Sequence, residues 1–289
     1  MKIAHFCEFA DRKCGVFRAA LEIAKRQQEE GNEVEIFTTY FMKDYSKNYE
    51  LNETIEGVKC KRIFAVKVGG EALNSWDFKS EDFSEFNELW SHGYRKHHNI
   101  FLSKYNCRRV LVTHAPWGSS SILRTIVTKL FDFAFGERIQ KEFDIYHIAN
   151  WEKEYTIFTE DFKLIELPLR KEFLGPQSKM ERLNKVLFVG NKKKIQPFLD
   201  SYPSTEITIV TDCFDIKKLI ELYDSHKYFL LISKREGLPT GLREAKSRGC
   251  ITIATKNNGT LEVGADHFFD YGDWDWINNF LEDKINDGK

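Results

Sequence analysis

Between Tyr228 and Ala254 the chain runs through an apolar stretch, Tyr228 to Ile232, a glycine-rich turn, a helical segment stopped by Gly249, and a second apolar stretch, Cys250 to Ala254. Few folds accept that order. An apolar run without polar alternation suits a strand buried on both faces, which is the habit of parallel sheets, and the intervening helix supplies the crossover. The turn and helix read K-R-E-G-L-P-T-G-L-R-E-A from Lys234 to Ala245 and place Glu236 and Glu244 eight positions apart. Glu236 falls in the loop at the strand's carboxyl end. Glu244 falls about one turn inside the helix, where positions roughly four apart share a face. Free backbone N–H groups at a helix start attract anions, and carboxylates accept hydrogen bonds from vicinal hydroxyls. A solvated helix with two surface glutamates is the competing reading in a chain that is 30% charged.

The segment resembles the Glu-x7-Glu signature of the family 4 glycosyltransferases, retaining enzymes with the two-Rossmann-domain α/β fold called GT-B. Pro239 and Thr240 suit that motif, and Asn258, Gly259, Thr260 and Glu262 follow where the family often has a Gly-Gly-x-x-Glu loop, with Asn258 in place of the first glycine. The resemblance implies that Glu236 bonds the hydroxyls of a donor sugar and Glu244 those of a ribose, with Gly237, Leu238, Thr240, Gly241 and Gly259 lining the donor. Neither glutamate is implied as a nucleophile.

Length and charge agree with a two-domain enzyme. A chain of 289 residues holds two domains large enough to bury their own cores. With 43 basic and 44 acidic residues, the net charge of −1 gives no global pull toward nucleic acid. The six cysteines, Cys7, Cys14, Cys60, Cys107, Cys213 and Cys250, show no metal-ligand spacing and read as reduced, mostly buried thiols. The start M-K-I-A-H-F-C-E-F is too short an apolar run for a signal peptide, and no stretch has the length of a membrane span, so a cytoplasmic protein is expected.

The first 39 residues repeat the strand-helix-strand logic. Lys2 to Phe6 reads as a strand, Glu8 to Gly15 as a loop, Val16 to Glu30 as a helix with Phe17, Ala20, Leu21 and Ala24 on one face, and Val34 to Thr39 as the next strand. Family members usually carry Gly-Gly in that loop, where backbone approaches the donor diphosphate. This chain has Cys14-Gly15, so Gly15 either approaches the donor or simply starts the helix. In the stretch 41–110, Glu56 to Val68 suggests one or two strands. Ser80 to Trp90 fits an amphipathic helix with Phe83, Phe86 and Trp90 at spacings of three and four. Arg95, Lys96, Lys104, Arg108 and Arg109 form a basic cluster that reads as a solvated face. If it is a patch, anionic lipid head groups or a lipid-linked acceptor are its natural ligands, and peripheral membrane contact follows.

Val110 to Thr113 reads as a buried strand delivering His114, Ala115, Pro116 and Trp117 to its carboxyl end. That segment resembles the family's strand-end histidine, which implies an active-site role for His114 near the transferred sugar. Ser121 to Phe143 reads as a long helix whose Ile122, Ile126, Val127, Leu130, Phe133 and Ala134 are expected in the core. Asp144 to Ala149 reads as a strand, and A-N-W-E-K-E-Y as a helix start similar to the family's "S-x-x-E-K" segment. The domain junction is expected in the polar stretch Arg170 to Arg182.

Lys185 to Gly190 resembles the strand that opens the donor-binding half of these enzymes. Asn191 stands where the family has an arginine, and Lys193 or Lys194 matches its diphosphate-facing lysine. Three segments are therefore expected: an acceptor domain over 1–170, a donor domain over 171–272, and a final helix over 273–289 whose Trp274, Trp276 and Phe280 dock on the first domain. The resemblance implies a metal-independent, retaining hexosyltransferase needing no cofactor, with a UDP- or GDP-sugar as substrate. The acceptor is not readable from the residues, and a glycan, a lipid-linked sugar or a protein is expected. A degenerate GT-B scaffold subunit, motivated by Cys14, Asn191 and the short second domain, and a GT-B epimerase remain open alternatives.

Overall fold

Residue Lys2 opens the first strand, β1 (Lys2–Phe9), and β2 (Glu33–Thr39) lies parallel to it with Phe6 opposite Phe37. The helix between them, α1 (Gly15–Glu29), buries Phe17, Ala20, Leu21 and Ala24, the stripe expected from their spacing. Each such Phe or Leu contributes roughly 1.5–3 kcal/mol on burial. Gly31, at φ +86°, ends the helix: its N–H donates to Gln28 and that of Asn32 to Gln27. The computed structural model describes residues 1–10, 14–39, 51–66, 75–78, 81–114, 122–158, 162–177, 181–211 and 215–286.

The chain divides into two compact units, residues 1–168 and 169–289. In the first unit the further strands are β3 (Asn52–Ile55), β4 (Val58–Ile63), β5 (Ala65–Val66), β6 (Ser75–Trp76), β7 (Glu88–His92), β8 (Arg108–Thr113), β9 (Asp144–His147) and β10 (Lys163–Leu164). Helices α2 (His97–Leu102) and α3 (Ile122–Glu142) belong to the same unit. Its main sheet has the order β10-β9-β8-β7-β1-β2-β4-β3, parallel throughout except for the β3–β4 hairpin. Strand order reverses at β1, with β2 on one side and β7 on the other. A sheet of this kind opens its crevice there, at the carboxyl ends of β1 and β7.

Two expectations fail in this unit. Residues 81–87 are turns rather than a helix: Asp82 accepts from both the N–H and the hydroxyl of Ser84, while Trp90 lies on β7. Phe83 and Phe86 are nevertheless buried in one cluster with Leu89 of β7, while Trp90 stacks on His5 outside that cluster, so the helical spacing came from a turn followed by a strand rather than from one helix face. In α3, Ile126 and Leu130 are exposed and Phe133 is 91% exposed, against the core role expected for that face. The buried face is carried instead by Gly136 and Ile139, with Phe131 and Phe135 partly buried beside it.

The second unit is a single parallel sheet. Its elements are β11 (Leu183–Val189), α4 (Lys192–Ser201), β12 (Ile207–Val210), α5 (Ile216–Ser225), β13 (His226–Leu231), α6 (Thr240–Ser247), β14 (Ile251–Thr255), α7 (Asn258–Val263), β15 (His267–Phe269) and α8 (Trp274–Asn286). The order is β12-β11-β13-β14-β15. Along β13 and just past it, Tyr228, Leu230 and Ile232 enter one core while Phe229 and Leu231 enter the other, which explains the unbroken apolar run. Helix α8 spends its apolar face on this same unit: Ile277 and Leu281 are buried with Val186 and Phe188, and Trp274 and Phe280 pack against that cluster. These side chains cover the β11 face of the sheet. Among the described residues, no helix is long and apolar enough to cross a membrane.

Candidate functional site

Order also reverses at β11 in the second unit, since β12 and β13 flank it. The carboxyl ends of β11 and β13 therefore border a crevice where ligands of such sheets bind. Lys194, in the first turn of α4 after β11, reaches across that edge. Its Nζ donates to Glu236 Oε1 at 2.6 Å and to Ser233 Oγ at 3.2 Å, both in the loop after β13. The Asn191 side chain accepts from the Lys193 N–H and caps α4. Of the two candidate lysines, Lys194 is the one whose ammonium meets Glu236. The side chain of Lys193 is exposed.

The loop carrying Glu236 is fixed from beneath. The Ser233 N–H donates to Thr255 Oγ1, whose own hydroxyl donates back to the Ser233 carbonyl, and Asn257 Nδ2 donates to that same carbonyl at 3.1 Å. Asn257 also caps α7 in a reciprocal pair with Thr260. Gly259, in the first turn of α7, is pressed against the loop. A Cβ there would stand 2.5 Å from the Gly237 carbonyl oxygen and closer still to that of Glu236. Only glycine allows the approach.

Gly237, Leu238, Thr240 and Gly241 carry the chain from Glu236 into α6, and Pro239 at its N-cap offers no side-chain cap. Glu244 lies on the inner face of that helix at 6% exposure. Its Oε1 accepts from Arg170 Nη2 at 2.5 Å and Nε at 3.1 Å, and its Oε2 from the Tyr223 hydroxyl at 3.4 Å. The sequence pattern gave no sign of Arg170, which lies 74 positions away. Glu236 and Glu244 thus occupy different surroundings: one at the sheet's carboxyl edge beside a lysine, the other inside, tied to the segment that opens the unit.

In the first unit, Cys14 takes the N-cap position of α1 without a side-chain bond, and a Cβ at Gly15 would meet open space. Glycine is therefore not demanded sterically at position 15. His114 directly follows β8, and its Nε2 lies 3.1 Å from His92 Nδ1. The expected companions Ala115, Pro116 and Trp117 lie outside the described residues. Burial holds the His114 imidazole down to a pKa of about 3. The basic cluster is balanced by carboxylates: Arg95 pairs with Asp132, Lys96 with Glu8, Arg108 with Glu88 and Asp144, and Arg109 with Glu142. Lys104 stands over the Phe101 ring. Cys7, Cys14, Cys60, Cys107 and Cys250 are free thiols, and Cys213 lies outside the described residues. Among the described residues, no group of histidine, cysteine and carboxylate side chains is arranged to hold a metal ion.

No protein-family model and no curated protein sequence matches the chain. Solved structures do match over nearly its full length. Sucrose-phosphate synthase from Thermosynechococcus elongatus is similar with a TM-score of 0.73 at 11% identity, covering 99% of this chain and 90% of that one. Anabaena Alr3699/HepE, solved in complex with UDP and glucose, gives 0.67 at 11% identity over 100% and 90%. An alpha-glucosyltransferase in complex with UDP and DNA gives 0.60 at 12% identity over 99% and 90%. The structural neighbours are GT-B glycosyltransferases, and with its two parallel-sheet units this chain has the GT-B fold.

Proposed function

We propose that the protein is a retaining glycosyltransferase that moves a hexose from a nucleotide sugar to an acceptor hydroxyl. The observation that carries this reading is the meeting of Lys194, Ser233 and Glu236 at the strand-order reversal of the second sheet. A nucleotide sugar needs a cation for its diphosphate and an acceptor for its sugar hydroxyls, and that edge offers both within one hydrogen-bonded group. Neighbours of the same fold that hold UDP support the donor class.

In this reading the Lys194–Glu236 contact is exchanged for contacts to substrate. Lys194 moves onto the diphosphate, assisted by the amino end of α6 after Gly237 and Leu238, while Glu236 accepts from the donor sugar. Gly259 keeps the loop low enough for the sugar to lie over it. Glu244 is assigned to the ribose hydroxyls, which requires them to reach a carboxylate that also holds Arg170. The acceptor hydroxyl attacks on the face of the departing phosphate, which takes its proton, so alignment and charge stabilisation supply the rate. His114, in the first unit, orients a hydroxyl of the acceptor.

Incubating the chain with UDP-, ADP- and GDP-hexoses and a panel of glycan acceptors tests the reading. Release of a nucleoside diphosphate together with a product of unchanged anomeric configuration is expected. An inverted product would remove the retaining assignment, and equal turnover by wild type and Glu236→Gln would remove the site.

A further inference from the structure

His114, itself partly buried, ends a line of hydrogen-bonded side chains that runs back through the first sheet. Gln27, on α1, has its Oε1 2.6 Å from His5 Nε2. His5, on β1, has its Nδ1 2.9 Å from His92 Nε2, and His92, at the end of β7, has its Nδ1 3.1 Å from His114 Nε2. The three rings are carried by adjacent strands or by a strand's immediate carboxyl end, which is why the parallel register brings them into line. His5 and His92 are almost wholly buried, and Gln27 is 6% exposed.

Each contact in this line needs one proton between its two heavy atoms. Burial lowers His5 to about 4 and His114 to about 3, and burial together with its imidazole neighbours lowers His92 well below its ordinary 6.5. Near neutral pH each ring is uncharged and carries a single N–H. Once one end of such a line is fixed, every other proton is fixed with it. The Gln27 amide oxygen only accepts, so it takes the proton on His5 Nε2. His5 Nδ1 must then accept from His92 Nε2–H, and His92 Nδ1 from His114 Nε2–H.

We infer that Gln27, through His5 and His92, sets the tautomer of His114, so that His114 presents an unprotonated Nδ1 as a hydrogen-bond acceptor for a substrate hydroxyl. Gln27, His5 and His92 are positioning residues. The line does not carry protons away, because a neutral amide at its far end has no site for one. It holds the ring in a single orientation and a single donor pattern instead. The glycosyltransferase reading enters only in naming the hydroxyl as a sugar's; the tautomer follows from the line itself.

Long-range 15N–1H correlation spectra of the full chain labelled with 15N-histidine, assigned with single His→Phe variants, test the inference without any sugar present. His5, His92 and His114 are expected to carry their proton on Nε2, with Nδ1 at a pyridine-type shift. In Gln27→Met the anchoring acceptor is gone, and the His114 nitrogens are expected to move toward the averaged shifts of two exchanging tautomers. In Gln27→Glu, which keeps an acceptor oxygen, they are expected to stay at the wild-type positions. A wild-type His114 protonated on Nδ1 overturns the inference whether or not the variants fold, and so does a Gln27→Met spectrum in which His114 is unmoved. Absence of sugar transfer would remove the proposed reaction while leaving the tautomer result standing.

Discussion

Gly259 lies directly beneath the backbone of Glu236, so close that its missing side chain is what lets the loop after β13 sit where it does. In an ordinary helix Gly→Ala stabilises by about 1 kcal/mol. Here the added methyl meets backbone rather than a movable side chain. Gly259→Ala is therefore expected to destabilise by roughly 1–3 kcal/mol and to depress activity. Urea unfolding of the second unit checks the sign, and stabilisation would show that the loop yields freely.

The Lys194–Glu236 pair is partly exposed, with side-chain exposures of 44% and 19%. Such pairs contribute about 0–1 kcal/mol to stability. Lys194→Met should leave the unfolding midpoint almost unchanged while lowering kcat/KM roughly hundredfold, the usual loss when one electrostatic stabiliser is removed. A large fall in stability with little change in kcat/KM would make the pair a structural tie.

Glu244 behaves in the opposite way. Its partner Arg170 is largely buried, with 14% side-chain exposure. Removing one member of a buried pair costs about 3–5 kcal/mol. Glu244→Ala should unfold at markedly lower urea, with Arg170→Met in the Glu244→Ala background restoring part of the loss. A double-mutant cycle with no coupling would contradict the contact. Loss of nucleotide binding in Glu244→Gln, measured on folded protein, would then report the proposed ribose role separately.

Stability should fall as pH drops below about 6.5. For a base whose folded pKa lies below its unfolded value, the unfolded chain binds more protons in the window between the two. His5 and His114 titrate near 4 and 3 when folded, against an ordinary 6.5. Their contribution is complete above 6.5 and is lost progressively down to those values, at a limiting slope of about 1.4 kcal/mol per pH unit for each ring. Glu56, whose burial is outweighed by Arg18 and Lys25, and Asp266, whose burial is outweighed by its bonds from Thr252, are held below 4.5 and 3.8 and add losses only at lower pH. Urea unfolding at pH 7.5, 6 and 5 separates the two ranges. A flat profile down to pH 5 would mean that the imidazoles are not buried neutral.

Much of this architecture was legible in the residues. The unbroken run from Tyr228 to Ile232 fixed a strand between two cores, and the Phe17, Ala20, Leu21 and Ala24 stripe fixed α1. Glu236 was placed correctly at a strand's carboxyl end because loop and helix boundaries are local. Glu244's partner was not legible, since Arg170 reaches it only after the whole sheet is assembled. The same holds for His5, His92 and Gln27: pairing register between β1 and β7 aligns the rings, and no spacing within one segment announces it. The helix expected over Ser80 to Trp90 failed because a turn and a strand can bury aromatic residues at helical intervals.

Calorimetric titration of the full chain with UDP, ADP and GDP and their hexose conjugates, repeated with Lys194→Met, bears most directly on the nucleotide-sugar site. At about a hundred times the dissociation constant, one of these ligands is expected to stabilise the wild type by roughly 2.7 kcal/mol, and Lys194→Met to weaken its binding at least tenfold. Binding of none of them, or binding untouched by Lys194→Met, would contradict the assignment of that crevice to the donor.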